Sequence, residues 1–249
     1  MGFSTRRAAI TAGLVAGALL VGSTAVAAPS GVNEPAGAQK AAQRMRNSHQ
    51  TEEPPPPPEP QSVRYRVTLN IEWNRASHPV TVPPNEHVSP PVVATHQMIG
   101  DLFAPGQFAS AGVEVMAEVG STGTLVSELN AKRSVTSVTT GRRIDGAGSQ
   151  SFDVTVEQGV SYISLVTMLA PSPDWFVGVR EQMFVDGSWR DTVEVDLGNY
   201  DAGTDSGPGF TSPNADTNPA QVISGPRDTA FAAAVSEGRF GTVTIERLP

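Results

Sequence analysis

The sequence predicts an all-β fold, an antiparallel β-sandwich with one or two short helices in its connecting loops. Three observations lead there. The 249 residues include 24 glycines and 21 prolines, and only 17% are charged. That is a composition of short strands and many turns, not of a helical bundle. From Ser62 to Trp73, apolar and polar residues alternate without a break, the period that sends successive side chains to opposite faces of a half-buried strand. Similar short runs recur through the C-terminal half, separated by turn-forming residues.

The elements follow in order. Val63, Tyr65, Val67, Leu69, Ile71 and Trp73 form the apolar face of the first strand. His96–Phe103 is a weak helix candidate. Leu125–Lys132 is a better one, with Leu125, Val126 and Leu129 on one side. Phe152, Val154 and Val156 alternate with Ser151, Asp153, Thr155 and Glu157 as a second half-buried strand. Ile163–Ala170 is apolar at nearly every position, as in a central strand covered on both faces. Phe176–Val185 and Thr192–Leu197 read as two more strands. Between them Asp186-Gly187-Ser188 supplies turn chemistry. Thr242–Glu246 closes the chain with a last alternating strand. Arg64, Arg66, Glu246 and Arg247 are charged residues suited to blunting strand edges.

The N-terminal quarter has a different composition. Residues 1–27 have the pattern of an export signal: Arg6 and Arg7, an apolar run from Ala8 to Val21, then Ala25-Val26-Ala27 for cleavage before Ala28. Thr5-Arg6-Arg7 partly matches a twin-arginine signal, so both the general and the twin-arginine export routes are open. The apolar run is short for a membrane span, and no stable membrane insertion is expected after cleavage. Residues 28–61 read as a disordered, proline-rich linker ending in Pro54–Pro58, Glu59 and Pro60. Such a run favours the extended polyproline II rod, as a spacer or as a ligand for a proline-binding groove. The domain proper is expected over 62–249.

Charge and composition exclude several functions. The formal net charge of −8 becomes −10 once Arg6 and Arg7 are removed with the signal, which disfavours nucleic-acid binding. Zero cysteine removes disulfide scaffolds, thiol catalysis and zinc–thiolate sites. No G-x-S-x-G, H-E-x-x-H or phosphate-binding glycine loop is present. Of the four histidines, His87 and His96 flank a Ser-Pro-Pro turn that can bring them together, although two solvated loop histidines are the commoner outcome. A secreted hydrolase using one of them is the enzymatic alternative to a binding module. A structural component of the cell envelope is a third reading.

Two loops carry the candidate chemistry. Pro171-Ser172-Pro173-Asp174-Trp175-Phe176-Val177-Gly178 places a carboxylate at a stiffened corner after the most buried strand. Asp201-Ala202-Gly203-Thr204-Asp205-Ser206-Gly207 is rich in carboxylates and glycine, the composition that wraps oxygen ligands around a hard cation. The same composition also builds a loop capped by its own Asx turns.

These strings, S-P-D-W-F-V-G-V (Ser172–Val179) and D-A-G-T-D-S-G (Asp201–Gly207), resemble the signature of the spondin N-terminal domain family. The likeness extends through Tyr65–Trp73, Ser89–His96, Leu102–Gln107, Gly112–Glu118 and Phe210–Asn214, covering about residues 62–249. The chain looks like a bacterial, secreted member. The resemblance implies a sandwich like the calcium-dependent membrane-targeting modules, with one divalent cation, Ca2+, in a loop cluster. Carried over position by position, Asp174 and Asp201 are its ligands. Asp205 is a third, as ligand or as loop stabiliser, and Asp153 or Glu157 is a further carboxylate. It implies a calcium-binding adhesion or ligand-binding module without catalytic activity. The partner would be a surface ligand: a glycan, a lipid headgroup or a protein. The cysteines and accompanying repeats of the animal proteins are absent here, so their matrix and integrin binding does not carry over directly.

Overall fold

Strand β1 (Ser62–Ile71) carries the sequence alternation into space. Val63, Tyr65, Val67, Leu69 and Ile71 are buried, while Arg64 and Arg66 face out. In this computed structural model, residues 57–249 are described. The expected signal segment, 1–27, and all but the last residues of the expected linker, 28–61, lie outside the described residues.

β1 pairs on one side with β6 (Gly148–Glu157) and on the other with β13 (Gly241–Arg247). β13 in turn pairs with β11 (Thr192–Asp196), giving an antiparallel sheet in the order β11-β13-β1-β6. Arg64, Arg66, Glu246 and Arg247 therefore lie on interior strands, and the expectation that they blunt edges is corrected. Arg64, Arg66 and Glu246 cover the solvent face instead, while Arg247 lies opposite the buried Tyr65 at the end of the inward face, paired with Asp191 and Glu59. Arg66 sits directly opposite Asp153 and grips it through two bonds of 2.8 and 3.0 Å.

The second sheet is built on β7 (Tyr162–Ala170), the run predicted to be central. β7 pairs along one side with β8 (Trp175–Gln182), which pairs with β12 (Gly198–Asp201). Along its other side β2 (His87–Val88) and β3 (Val92–His96) lie end to end. They carry β5 (Ile144–Asp145) and β4 (Val135–Thr140) outside them. The predicted strand over 176–185 divides, because the chain leaves β8 at Gln182 and forms a small hairpin. Its strands are β9 (Phe184–Val185) and β10 (Ser188–Trp189). At its turn, Asp186 (φ 51°) and Gly187 (φ 83°) are both left-handed, as a two-residue hairpin turn matching strand twist requires.

The two faces of β7 explain its unbroken hydrophobicity. Ile163, Leu165 and Leu169 point into the core between the sheets, with Tyr65, Leu69, Trp175 and Ile245. Val166, Met168 and Ala170 point into a second core, covered by helices. Those helices are α1 (Ala111–Val119) and α2 (Gly123–Ala131), the latter matching the predicted Leu125–Lys132. Fully burying each leucine- or valine-sized side chain contributes roughly 1.5–3 kcal/mol, so both layers hold β7 in place.

Three short helices, not one or two, occur among the described residues. α1 covers the Gly112–Glu118 stretch, to which the sequence reading assigned no helix, with Ser110 capping its first turn through Val113 N (3.2 Å). α2 crosses it closely: a Cβ on Gly112 would lie 2.5 Å from Leu125 Cα, so only glycine fits. Glu128 of α2 accepts from Gly112 N (2.8 Å) and from the Ser110 hydroxyl (2.6 Å), fastening the pair. α3 (Thr229–Glu237) sends Phe231 into the core between the sheets. The weak helix over His96–Phe103 does not form. His96 ends β3, and the segment turns back because Asp101 accepts Met98 N (3.1 Å) while Leu102 and Phe103 are drawn into the helix-side core. No described helix is long and apolar enough to cross a membrane.

The last residues before β1 touch this domain. Trp189 Nε1 donates to Pro60 O at 2.8 Å, and Gln158 Nε2 reaches Glu59 O and Pro60 O.

Candidate cation site

The two candidate loops are brought together by strand pairing. β12 lies beside β8 with Asp201 opposite Trp175, so Asp174 and the start of the 201–207 loop are neighbours. Ala202 N donates to Asp174 O (3.1 Å), and Ser224 exchanges backbone bonds of 3.0 and 3.1 Å with Asp201. Trp175 anchors the corner. It is fully buried, stacked on Phe231 at 4.6 Å and met edge-on by Phe210 at 4.9 Å. With Trp175 pointing to the core between the sheets, the preceding carboxylate is held inside the loop end.

Asp174 is completely buried. Its Oδ2 accepts from Thr204 N (2.8 Å) and Asp205 N (3.2 Å). Its Oδ1 is sealed from solvent and has no donor. A buried ionised oxygen without a partner is costly. Burial raises the Asp174 carboxyl above its ordinary range, against the backbone N–H groups of Thr204 and Asp205 that lower it. Asp201 is only 2% exposed. Burial and the charge of Asp174 push it up to about 6, although Arg227 and the Gly203 N–H act the other way. Its Oδ1 accepts from Gly203 N (2.9 Å) and from Arg227 Nη1.

Asp205 serves the loop. Its Oδ1 accepts from Gly207 N (2.7 Å) and its Oδ2 from Ala215 N (3.0 Å). Asp201 and Asp205 thus each make the bond to the second following N–H that marks an Asx turn. Gly203 has φ 78°, and a Cβ there would meet Gln221 O at 2.5 Å, so the loop needs glycine at that point. A cavity of about 100 Å³ opens beside the loop, lined by Asp201, Gly203, Asp205, Thr217, Gln221 and Arg227 among others.

The sequence reading did not reach two residues here. Glu118, at the end of α1, is raised by burial and further by the charges of Glu114, Asp205 and Asp174, while a bond to Thr204 lowers it. Arg227, which follows Gly225-Pro226, pairs with Asp201. Glu118 ends the Gly112–Glu118 stretch of the resemblance, but nothing local marks it or Arg227 as part of the site, because α1 and the 225–228 segment reach it only through tertiary packing. Asp153 and Glu157 are placed elsewhere. Asp153 is engaged by Arg66 on the outer face of the first sheet, and Glu157 is exposed opposite Ser62.

The histidines do not meet. His87 lies opposite Ala170 and His96 opposite Tyr162 along β7, which separates them by about 26 Å of strand. His96 is buried, bonded to Met98 O and the Ser164 hydroxyl at 2.8 Å each. His87 lines a shallow cleft of about 260 Å³ with Ser89, Glu118 and Arg143. Neither Asp174 nor Asp205 lines that cleft.

Among the described residues, no three acidic or histidine side chains already converge as a metal site, because Asp205 is turned to backbone and Asp201 to Arg227. The residues nonetheless fit a hard cation. The candidate ligands are all carboxylate oxygens, one Asp174 oxygen lacks any partner, and Asp201, Asp205 and Glu118 are close enough for their charges to couple with that of Asp174.

Fold and site together define a β-sandwich module with an acidic loop cluster at the β7–β8 corner. The Spondin_N family model matches residues 63–233, and the chain belongs to that spondin N-terminal domain family. It is 34% identical to human (Homo sapiens) Spondin-2 over 169 residues, 64% of this chain and 51% of that protein. Spondin-2 of Rattus norvegicus is 32% identical over the same shares. Spondin-1 of Gallus gallus is 31% identical over 173 residues, 65% of this chain and 22% of that protein. The chain therefore spans about half the length of the Spondin-2 relatives and about a fifth of the Spondin-1 relative.

Proposed function

We propose that this chain is an exported, non-enzymatic adhesion or ligand-binding module that holds one calcium ion in the acidic loop cluster. The observation that carries the reading is Asp174 Oδ1, a fully buried carboxylate oxygen with no donor, on a side chain whose charge is coupled to those of Asp201, Asp205 and Glu118. Asp174 and Asp201 would hold the ion. Asp205 shapes the loop around them, and Glu118 adds charge from the helix side. Bound there, a divalent cation neutralises neighbouring carboxylates and fastens the β7–β8 corner to the 201–207 loop.

Membership of the spondin family supports the adhesion reading. The signal pattern of residues 1–27 supports export. The partner is a surface ligand such as a glycan, a lipid headgroup or a protein. A cell-surface and glycan binding screen run in calcium and in chelator distinguishes these classes.

The cation is tested by thermal unfolding. Calcium at 100 times its dissociation constant stabilises a single site by about 2.7 kcal/mol. For a domain of this size that is roughly 5–11 °C of melting temperature. Identical curves in calcium and in EDTA refute the cation reading.

A further inference from the structure

We propose that Arg227 is a built-in counter-charge that competes with the divalent cation for Asp201 and thereby sets the affinity of the site. This inference rests on the calcium reading above.

The geometry is that of a substitute cation. Arg227 Nη1 lies on Asp201 Oδ1, while Nη2 donates to Val222 O. The guanidinium also lies against the loop backbone, since a Cβ on Gly203 would come within 3.1 Å of Nη1. Asp201 and Arg227 line the same small cavity. Among the described residues, Arg227 is the one basic group paired with any carboxylate of this cluster. Asp174, Asp205 and Glu118 have no ion-pair partner there. A guanidinium stays charged at every working pH, so it compensates Asp201 whether or not a metal is near.

Mobility separates the two partners. The Asp201 side chain is 3% exposed and cannot leave, whereas that of Arg227 is 29% exposed and has solvent to move into. For calcium to take Asp201 Oδ1, Arg227 must give that oxygen up and swing outward. The same contact keeps the loop folded without metal. One residue thus trades affinity for stability of the metal-free state.

The test uses the full exported chain, titrated calorimetrically with calcium chloride and melted in EDTA. Arg227→Met removes the charge at similar length. It is expected to bind calcium at least tenfold more tightly, equivalent to about 1.4 kcal/mol, and to melt at lower temperature than the unmodified protein in EDTA. Arg227→Lys keeps a mobile charge and is expected to stay within about threefold of the unmodified affinity. Should Arg227→Met fail to fold in EDTA, Arg227→Gln, which retains a donor for Val222 O, carries the same expected tightening. Calcium binding that is unchanged or weaker in the uncharged variants overturns the inference while leaving the calcium reading standing. No calcium binding by the unmodified protein or by any variant overturns both.

Discussion

Replacing Asp201 by asparagine should change the sign of its effect when calcium is added. In the metal-free protein Asp201 is held at about 6 against an ordinary value of 3.8. Holding it ionised at pH 7 therefore costs about 3 kcal/mol, two pKa units at 1.36 kcal/mol each. The sign is that of a carboxyl raised by folding: the penalty is full above pH 6 and disappears as pH falls towards 4. Asparagine has the same shape, still accepts from Gly203 N and carries no charge. In EDTA at pH 7, Asp201→Asn should melt above the unmodified protein, by a few degrees and by no more than about 12 °C at 2–4 °C per kcal/mol. The weakened bond to Arg227 offsets part of the gain. In calcium at 100 times the unmodified protein's dissociation constant, the unmodified protein gains about 2.7 kcal/mol and the variant should gain little. The assay is calorimetric or circular-dichroism melting of both proteins in both buffers. A variant that is destabilised by the same amount in EDTA and in calcium would make Asp201 an ordinary structural residue and refute the reasoning.

Other outcomes follow from the same contacts. Gly203→Ala forces a left-handed residue against Gln221 O and should lose at least about 2 kcal/mol together with the calcium response, read by melting in both buffers. Burial lowers the pKa of His96, so the unfolded chain takes up its proton first and stability falls as pH drops below about 6.5. Relative to His96→Gln, the unmodified protein should lose up to about 1.4 kcal/mol per pH unit in that range; a constant difference from pH 7.5 to 5 in urea unfolding would contradict this. Trp189→Phe removes the donor to Pro60 O and should cost about 1 kcal/mol. If the bond matters, that loss disappears in a chain starting at Ser62.

Much of this molecule was legible in the residues. The alternation at Val63–Trp73 and Phe152–Val156 identified β1 and β6, and the uniform run Ile163–Ala170 marked a strand covered on both faces. The motif residues Asp174 and Asp201 did prove to be neighbours. Other parts were hidden. β2 and β5 are two residues each, too short for any period. α1 has its apolar side chains set by contact with α2 and β7, so its sequence resembles a loop as much as a helix. Arg64 and Arg66 looked like edge protection because a sequence does not state which strands are interior.

The sequence by itself determined the strand-rich class, the family and the two acidic loops, because these depend on local period and on short contiguous motifs. Only the tertiary structure decided what each carboxylate does. Strand pairing set Asp201 opposite Trp175, burial left one oxygen of Asp174 without a donor, and Asp205 was given to its own loop. Glu118 and Arg227 entered from segments more than twenty residues away in the chain from the nearest of the two carboxylates. Charge compensation acts through space and has no period along the chain, so the pairing of Asp201 with Arg227 emerges only once the loops are folded against one another.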